Sequence, residues 1–251
     1  MKITETAGNN VSQIFKGVKS SLHETDPDML ELHQNFTFDE VLQNIKLDIK
    51  TRMEVTLASL IAMNTMTEYR NFVIGSLNVG LTPIEIKEVV YHAVPYVGFA
   101  RVLEAIQITN SIFKEKGIKM PLESQSTTSL ETRFEKGITV QKSIFGEGID
   151  KMHQAAPKNQ YHIQKFLSDN CFGDYYTRTG LDVKTRELLT FSMLISLGGC
   201  EPQVKAHVRG NLSVGNDKET LLNVVTQLLP YIGYPRTLNG IACINEVIPE
   251  N

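Results

Sequence analysis

The sequence predicts an all-α protein, two tandem helical repeats packed against each other as a pseudo-dimer. Three observations carry this. LDIKTRMEVTLASLI from Leu47 returns as LDVKTRELLTFSMLI from Leu181, a shift of 134 residues, and such self-similarity marks a repeated structural unit. The stretch RELLTFSMLISL from Arg186 is apolar nearly all round, as a buried helix is. No alternating Val/Ile/Thr segments with hairpin turns recur at regular spacing, so a sheet-based fold is disfavoured. Two similar units in one chain usually pack about a pseudo-twofold, and such chains often assemble further. A homo-oligomer is therefore expected, with a trimer of tandem repeats as one form.

The first repeat spans residues 1–118. Within it, TPIE at 82–85 offers Thr82 as N-cap, Pro83 at the first helical position and Glu85 three after the cap. This capping box starts a helix that should stop near Pro95. The polar segment KMPLESQSTT, residues 119–128, is the linker. The second repeat spans 129–251, where Thr185 can cap the buried run and Gly198 and Gly199 end it. The chain then restarts as a helix with Pro202 in its first turn and runs to Gly215. Beyond it, SVGNDKETLLNVVTQLLPYIGYPRTLNGI from Ser213 echoes NVGLTPIEIKEVVYHAVPYVGFARVLEAI from Asn78 at a shift of 135. One residue has therefore been inserted between Ile195 and Gly215.

Composition narrows the possible partners. The chain has 251 residues, 41% hydrophobic and 21% charged, with a formal charge of −3. Nothing in that balance favours nucleic acid or an anionic membrane surface. The opening MKITETAGNN lacks the basic patch and apolar core of a secretory signal, and no apolar run is long enough to span a bilayer. The cytoplasm is the expected location. Cys171, Cys200 and Cys243 are the three cysteines, too far apart in sequence for a CxxC pair or a disulfide framework. No metal and no organic cofactor is expected, and the expected partner is a small-molecule substrate.

Chemistry concentrates in GGCEPQVKAH, residues 198–207. Cys200 sits at or beside a helix N-terminus, where exposed N–H groups and the dipole favour a thiolate. Spacings of three and seven put Gln203 and His207 on the same helical stripe. His207 can exchange a proton near neutral pH. A packed helix would also accommodate a buried cysteine and an ordinary histidine, and spacing alone favours that plainer reading. The first repeat has Thr65 or Met66, Glu68 and Phe72 at these three places, so its site reads as degenerate. Residues kept in both copies, Arg52 with Arg186, Pro95 with Pro230, Tyr96 with Tyr231, Gly98 with Gly233 and Arg101 with Arg236, read as structural. Glu187 occurs in the second copy only, at the start of the buried helix.

At these residues the sequence resembles the carboxymuconolactone decarboxylase family, which includes the alkylhydroperoxidase D proteins. The family pattern is a buried helix opening with Arg-Glu-Leu, a Gly- and Cys-rich break, a histidine-bearing helix, and a later turn of the form seen here as PYIGYPR. The second copy shows it in TRELLTFSMLISLGGCEPQVKAHVRGNLSVG and, further on, PYIGYPR. The alkylhydroperoxidase branch implies Cys200 as the reactive thiol, helped by His207 and Glu187. Gln203 stands where that branch has its second, resolving cysteine, so an external thiol, Cys171 or Cys243 would have to reduce an oxidised Cys200. The decarboxylase branch implies a cofactor-free lyase acting on a small unsaturated acid or lactone. There His207 would return the proton, and Arg186, Arg209 or Arg236 would hold the carboxylate. A non-catalytic binding or assembly protein is the third reading.

Overall fold

The computed structural model describes residues 2–250, and among them every regular element is helical. The first repeat contains α1 (Glu5–Ile14), α2 (Leu22–Thr25), α3 (Pro27–Asn35), a π-helical turn at Phe36–Glu40 and a 3-10 turn at Leu42–Asn44. It continues through α4 (Ile49–Met63), α5 (Met66–Asn78), α6 (Pro83–His92), α7 (Val94–Val97) and α8 (Phe99–Glu115). The second contains α9 (Arg133–Phe145), α10 (Gly148–Ala155), α11 (Tyr161–Phe166) and a π-helical segment at Leu167–Tyr176. After it come α12 (Val183–Leu197), α13 (Glu201–Ser213) and α14 (Lys218–Val247). Thus α12 answers α4, α13 answers α5, and α14 covers the stretch that α6, α7 and α8 divide among them.

The N-caps follow local chemistry. Asp48 accepts from the amides of Lys50 and Thr51 at 3.0 and 3.1 Å, and Asp182 accepts from the Thr185 amide at 2.7 Å. Asp182 is therefore the cap of α12, and the helix starts at Val183 rather than after Thr185; a carboxylate one turn earlier outcompetes the hydroxyl. The capping box at Thr82 forms in both directions, at 2.6 and 3.2 Å, and its helix ends at His92, just before Pro95. Asp217 caps α14 at the place equivalent to Thr82. Gly98 and Gly233 adopt the same left-handed extended conformation, φ 82° and 76°. A side chain is strained there, so this one residue type, kept in both copies, sets the bend after each PY pair.

The two central helices hold the repeats together. Met53–Ala62 of α4 and Arg186–Ser196 of α12 are buried without interruption, which explains why their sequences show no polar face. The helices pack on each other, and Ser59 and Ser196 hydrogen-bond across them at 2.7 Å. Gln227 of α14 reaches Thr56 of α4 at 3.3 Å. The linker is seated on the second repeat rather than slack. Gln125 O accepts from the Thr179 amide at 2.9 Å, and the Thr127 and Thr128 hydroxyls donate to the carbonyls of Thr177 and Gly173. The inserted residue lies at the α12–α13 break. Asn64 alone turns the chain in repeat one, with φ 58°, whereas Gly198 and Gly199 do so in repeat two, both with φ 71°. Cys200 is thereby the counterpart of Thr65, each preceding its helix. No helix among the described residues is long and apolar enough to cross a membrane.

Candidate acid–base site between the repeats

His207 of α13 faces Glu187 of α12, with Nδ1 2.9 Å from Oε2. Glu187 is fully buried. Its other oxygen accepts from the Tyr176 hydroxyl at 2.6 Å. Tyr176 in turn accepts from Tyr96, a residue of the first repeat, at 2.9 Å, and lies 2.9 Å from the Thr190 hydroxyl. His92, also from the first repeat, places Nε2 3.0 Å from Thr190 Oγ1 and 3.1 Å from the Arg186 carbonyl.

Counting protons fixes the direction of every bond in this cluster. A carboxylate only accepts, so His207 donates from Nδ1 and Tyr176 gives its single proton to Glu187. Thr190 must then donate to Tyr176, and His92 donates from Nε2 to Thr190 and to the Arg186 carbonyl. The Cys171 thiol, 3.8 Å from the Tyr96 hydroxyl, begins a second chain through Tyr96 and Tyr176. All of these chains end on Glu187. Burial holds His92 neutral, far below the usual imidazole range, and holds Tyr96 and Tyr176 protonated, well above the usual phenol range. The Cys171 thiol is pushed up to about 12, again by burial. These groups are donors fixed in place, not titrating groups.

The consequence falls on His207. With Nδ1 engaged, Nε2 makes no hydrogen bond among the described residues, and the side chain is 13% exposed. Phe145 and Tyr96 present their rings edge-on at centroid distances of 5.4 and 6.1 Å. A carboxylate-oriented imidazole between aromatic rings, with one free nitrogen turned toward solvent, is equipped to give and take a proton.

Close packing makes the pairing possible. Gly210 sits one turn from His207, and a Cβ there would lie 2.5 Å from Glu187 Oε2 and 3.1 Å from both Ile144 and Phe145. Asn211 donates to the carbonyls of Glu187 and His207 at 3.0 and 2.7 Å, bracing α12 against α13. Gly210→Ala is expected to push the Glu187 carboxylate off His207 and to destabilise the fold by about 1–3 kcal/mol through overpacking. Paired measurements of denaturant midpoint and turnover would show activity falling further than stability explains; unchanged activity would mean that the contact does no chemistry.

The other predicted site residues lie elsewhere. Cys200 is half-buried, and its thiol donates to the Leu194 carbonyl at 3.2 Å, back toward α12 and away from the α13 amides. The thiol is pushed up, by burial first and then by Glu201 and Cys243. This is the reverse of the thiolate expected at a helix N-terminus, because the side chain does not face the exposed N–H groups. The space beside it, lined in part by Val204, Arg236 and Cys243, is about 10 Å³, room for about one water. No hydrogen bond joins Cys200 to His207 or Gln203 among the described residues, and Gln203 is exposed. All three cysteines are free, Cys171 and Cys243 being buried.

The arginines do not converge on His207 either. Arg186 is fully buried, and its Nη2 donates to Glu88 Oε2 at 2.9 Å and to the carbonyls of Arg178 and Thr179. It has no face turned to a substrate, and it fastens α12 to α6. Arg209 is exposed and bonds the Lys205 carbonyl, while Arg236 is exposed beside Gly198. Among the described residues no group of three or more His, Cys, Asp or Glu could hold a metal ion.

Tyr96, Tyr176, His92 and Thr190 are the members of the site that sequence reasoning did not single out. Tyr96 counted as structural because Tyr231 repeats it. The structure shows why it repeats: each tyrosine crosses to the other repeat. Tyr231 packs edge-on against Phe72 at 5.5 Å, as Tyr96 does against His207. Phe15 meets Phe72 at 5.2 Å, as Phe145 meets His207. In repeat one, Met53 and Phe72 replace Glu187 and His207. A cavity of about 250 Å³ lies there, lined by His33, Glu68 and Tyr231 among both apolar and polar neighbours, Phe15 and Asn71 included.

The model of the Carboxymuconolactone decarboxylase family matches residues 27–111 and again 162–246. The 4-carboxymuconolactone decarboxylase of Acinetobacter baylyi is 26% identical over 121 residues, covering 48% of this chain and 90% of that protein. An uncharacterized 15.0 kDa protein of Paracoccus denitrificans is 32% identical over 80 residues, 32% of this chain and 60% of its own length. In three dimensions the chain resembles a crystal structure of a candidate gamma-carboxymuconolactone decarboxylase subunit from Burkholderia xenovorans LB400. The TM-score is 0.54 at 17% identity, with 94% of each chain covered.

Proposed function

The chain belongs to the carboxymuconolactone decarboxylase family, as two copies in tandem, and from that premise we propose that it is a cofactor-free lyase acting on a small unsaturated carboxylic acid or lactone, with His207 as its acid–base group. The observation that carries this is the chain of donors ending on Glu187, which fixes His207 in one tautomer and leaves Nε2 free. In the reaction the bond from the carboxylate carbon breaks, its electron pair passes into the conjugated lactone, and carbon dioxide leaves. Protonated His207 then delivers a proton from Nε2 to carbon, and Glu187 stabilises the imidazolium before and the neutral ring after transfer. The aromatic walls lower the local dielectric, which strengthens the attraction between Glu187 and a charged His207. The similarity to the Acinetobacter decarboxylase supports the reaction class.

Thiol chemistry has weaker support. Cys200 lacks a resolving partner at Gln203 and contacts neither His207 nor Glu187, and its thiol is shifted away from the thiolate. The expected self-association is supported by one surface feature: Phe99 and Leu103 of α8 are exposed, and so are their counterparts Tyr234 and Leu238 of α14.

A panel of unsaturated lactone carboxylic acids, followed by carbon dioxide release, tests the proposal. Turnover is expected without added metal or organic cofactor, and Cys200→Ser should retain it within about twofold, since a hydroxyl can also donate to the Leu194 carbonyl. Rapid, Cys200-dependent consumption of hydroperoxide, with no turnover of any acid in the panel, would sink the lyase reading in favour of the redox one.

A further inference from the structure

Lys87 and its neighbour Glu88 on α6 both line a cavity of about 570 Å³ between α6, α8 and the linker. Lys87 is 7% exposed. Its Nζ donates to Asn110 Oδ1, a neutral amide, and stands 5.7 and 5.8 Å from the ring centroids of Tyr91 and Phe113. It makes no ion pair among the described residues, and burial pulls its pKa down. The one buried carboxylate on the cavity wall is Glu88, already shared by Arg178 and Arg186. Arg178 and Arg186 thus share one buried anion, and Lys87 is left without one. The remaining carboxylate on the wall, Glu123, is exposed on the linker.

A buried charge without a counter-ion is destabilising, and the fold does not require one here. At the equivalent place in the second repeat stands Leu222, while Asn223 and Thr226 answer Glu88 and Tyr91. The buried lysine belongs to the first repeat alone, and the second repeat brings Arg178 to the same cavity wall. Ile84, Ile106, Met120 and Leu122 give the cavity apolar lining, and its volume lies within the range of ligand pockets. Arg178 bonds Glu88 through Nε and Nη2 and lies over the Tyr91 ring at 5.2 Å, and its Nη1 makes no hydrogen bond among the described residues.

We propose that this cavity binds an organic carboxylate with an apolar body, the carboxylate on Lys87 Nζ and Arg178 Nη1 and the body against Ile106, Met120 and Leu122. The site is separate from His207 and does not rest on the lyase reading. A ligand there would provide the charge that Lys87 lacks and would clasp the linker to α6 and α8.

Calorimetric titration of the full chain with octanoate, octanol and octylamine tests it. Octanoate should bind, with octanol and octylamine at least tenfold weaker. Lys87→Met should weaken octanoate at least tenfold while leaving the unfolding temperature unchanged or higher, because it removes an uncompensated buried charge. Ile106→Trp, which fills the cavity from its apolar side, should abolish binding, and His207→Ala should leave it unchanged. Equal affinity for octanol, undiminished binding to Lys87→Met, loss of binding in His207→Ala, or no octanoate binding at all would each overturn the proposal. Should Lys87→Met fail to fold, the alcohol comparison and Ile106→Trp decide.

Discussion

His207→Ala is expected to lower turnover of the lactone acid by about 10²–10⁴-fold, the usual weight of one positioned acid–base group. The fold should survive the change. The His207 side chain is only 13% exposed, so its removal opens a gap between Phe145 and Tyr96 and takes one donor from the buried Glu187, which keeps Tyr176. A lower denaturant midpoint is expected, and turnover is compared on folded protein. Glu187→Gln makes the sharper comparison. A glutamine can still accept from Tyr176 through its carbonyl oxygen, but its other terminus is an amide that donates. His207 would then have to present a lone pair at Nδ1 and carry its proton on Nε2, and an imidazolium there would lose its carboxylate. Turnover should fall by a factor approaching that of His207→Ala, while the denaturant midpoint moves less. If His207→Ala retained full activity on a substrate that the wild type turns over, the acid–base role would be wrong, and Tyr96 would be the next proton donor to examine.

Much of the fold was legible because it is written twice. The match of LDIKTRMEVTLASLI to LDVKTRELLTFSMLI located the two central helices, and the change of shift from 134 to 135 located the inserted turn. The cap was misplaced by one turn because Thr185 and Asp182 both suit an N-cap and only the backbone geometry decides between them. The site was half legible. Glu187 and His207 stood out because the first copy has Met53 and Phe72 in their places. Tyr96 was hidden by the same comparison, which assigns residues kept in both copies to structure. That inference holds for side chains acting within their own repeat and fails for one that crosses to the other. Spacing along α13 put Cys200, Gln203 and His207 on one stripe, but a residue preceding its helix does not follow the helical period. The break at Gly198 and Gly199 turns the thiol back onto the Leu194 carbonyl. Arg186 was open to a substrate role because nothing in the sequence announces its partner: Glu88 stands 98 residues away.

That partner sets the second large effect. Glu88 is 1% exposed and accepts from both Arg178 and Arg186. Glu88→Ala would leave the Arg186 guanidinium wholly buried, with Nε and Nη1 already lacking partners and its Nη2 reduced to two carbonyls. Removing one member of a buried ion pair costs about 3–5 kcal/mol, mostly because the other charge is stranded, and urea denaturation should show a loss of that size. The damage should extend to the candidate acid–base site. Glu88 and His92 lie one turn apart on α6, as Arg186 and Thr190 do on α12, so the ion pair and the His92–Thr190 bond are two rungs of one seam. Loosening the first rung frees the second, and with it the Thr190 and Tyr176 hydroxyls that aim protons at Glu187. Replacing Glu88 and Arg186 together by leucine and methionine separates the two effects. Stability should return to within about 1–2 kcal/mol of wild type, since apolar pairs often substitute for buried ion pairs at little cost. If the double variant is as unstable as Glu88→Ala alone, the Arg178 guanidinium, which also loses Glu88, and the carbonyls of Arg178 and Thr179, rather than the Arg186 charge, dominate the loss.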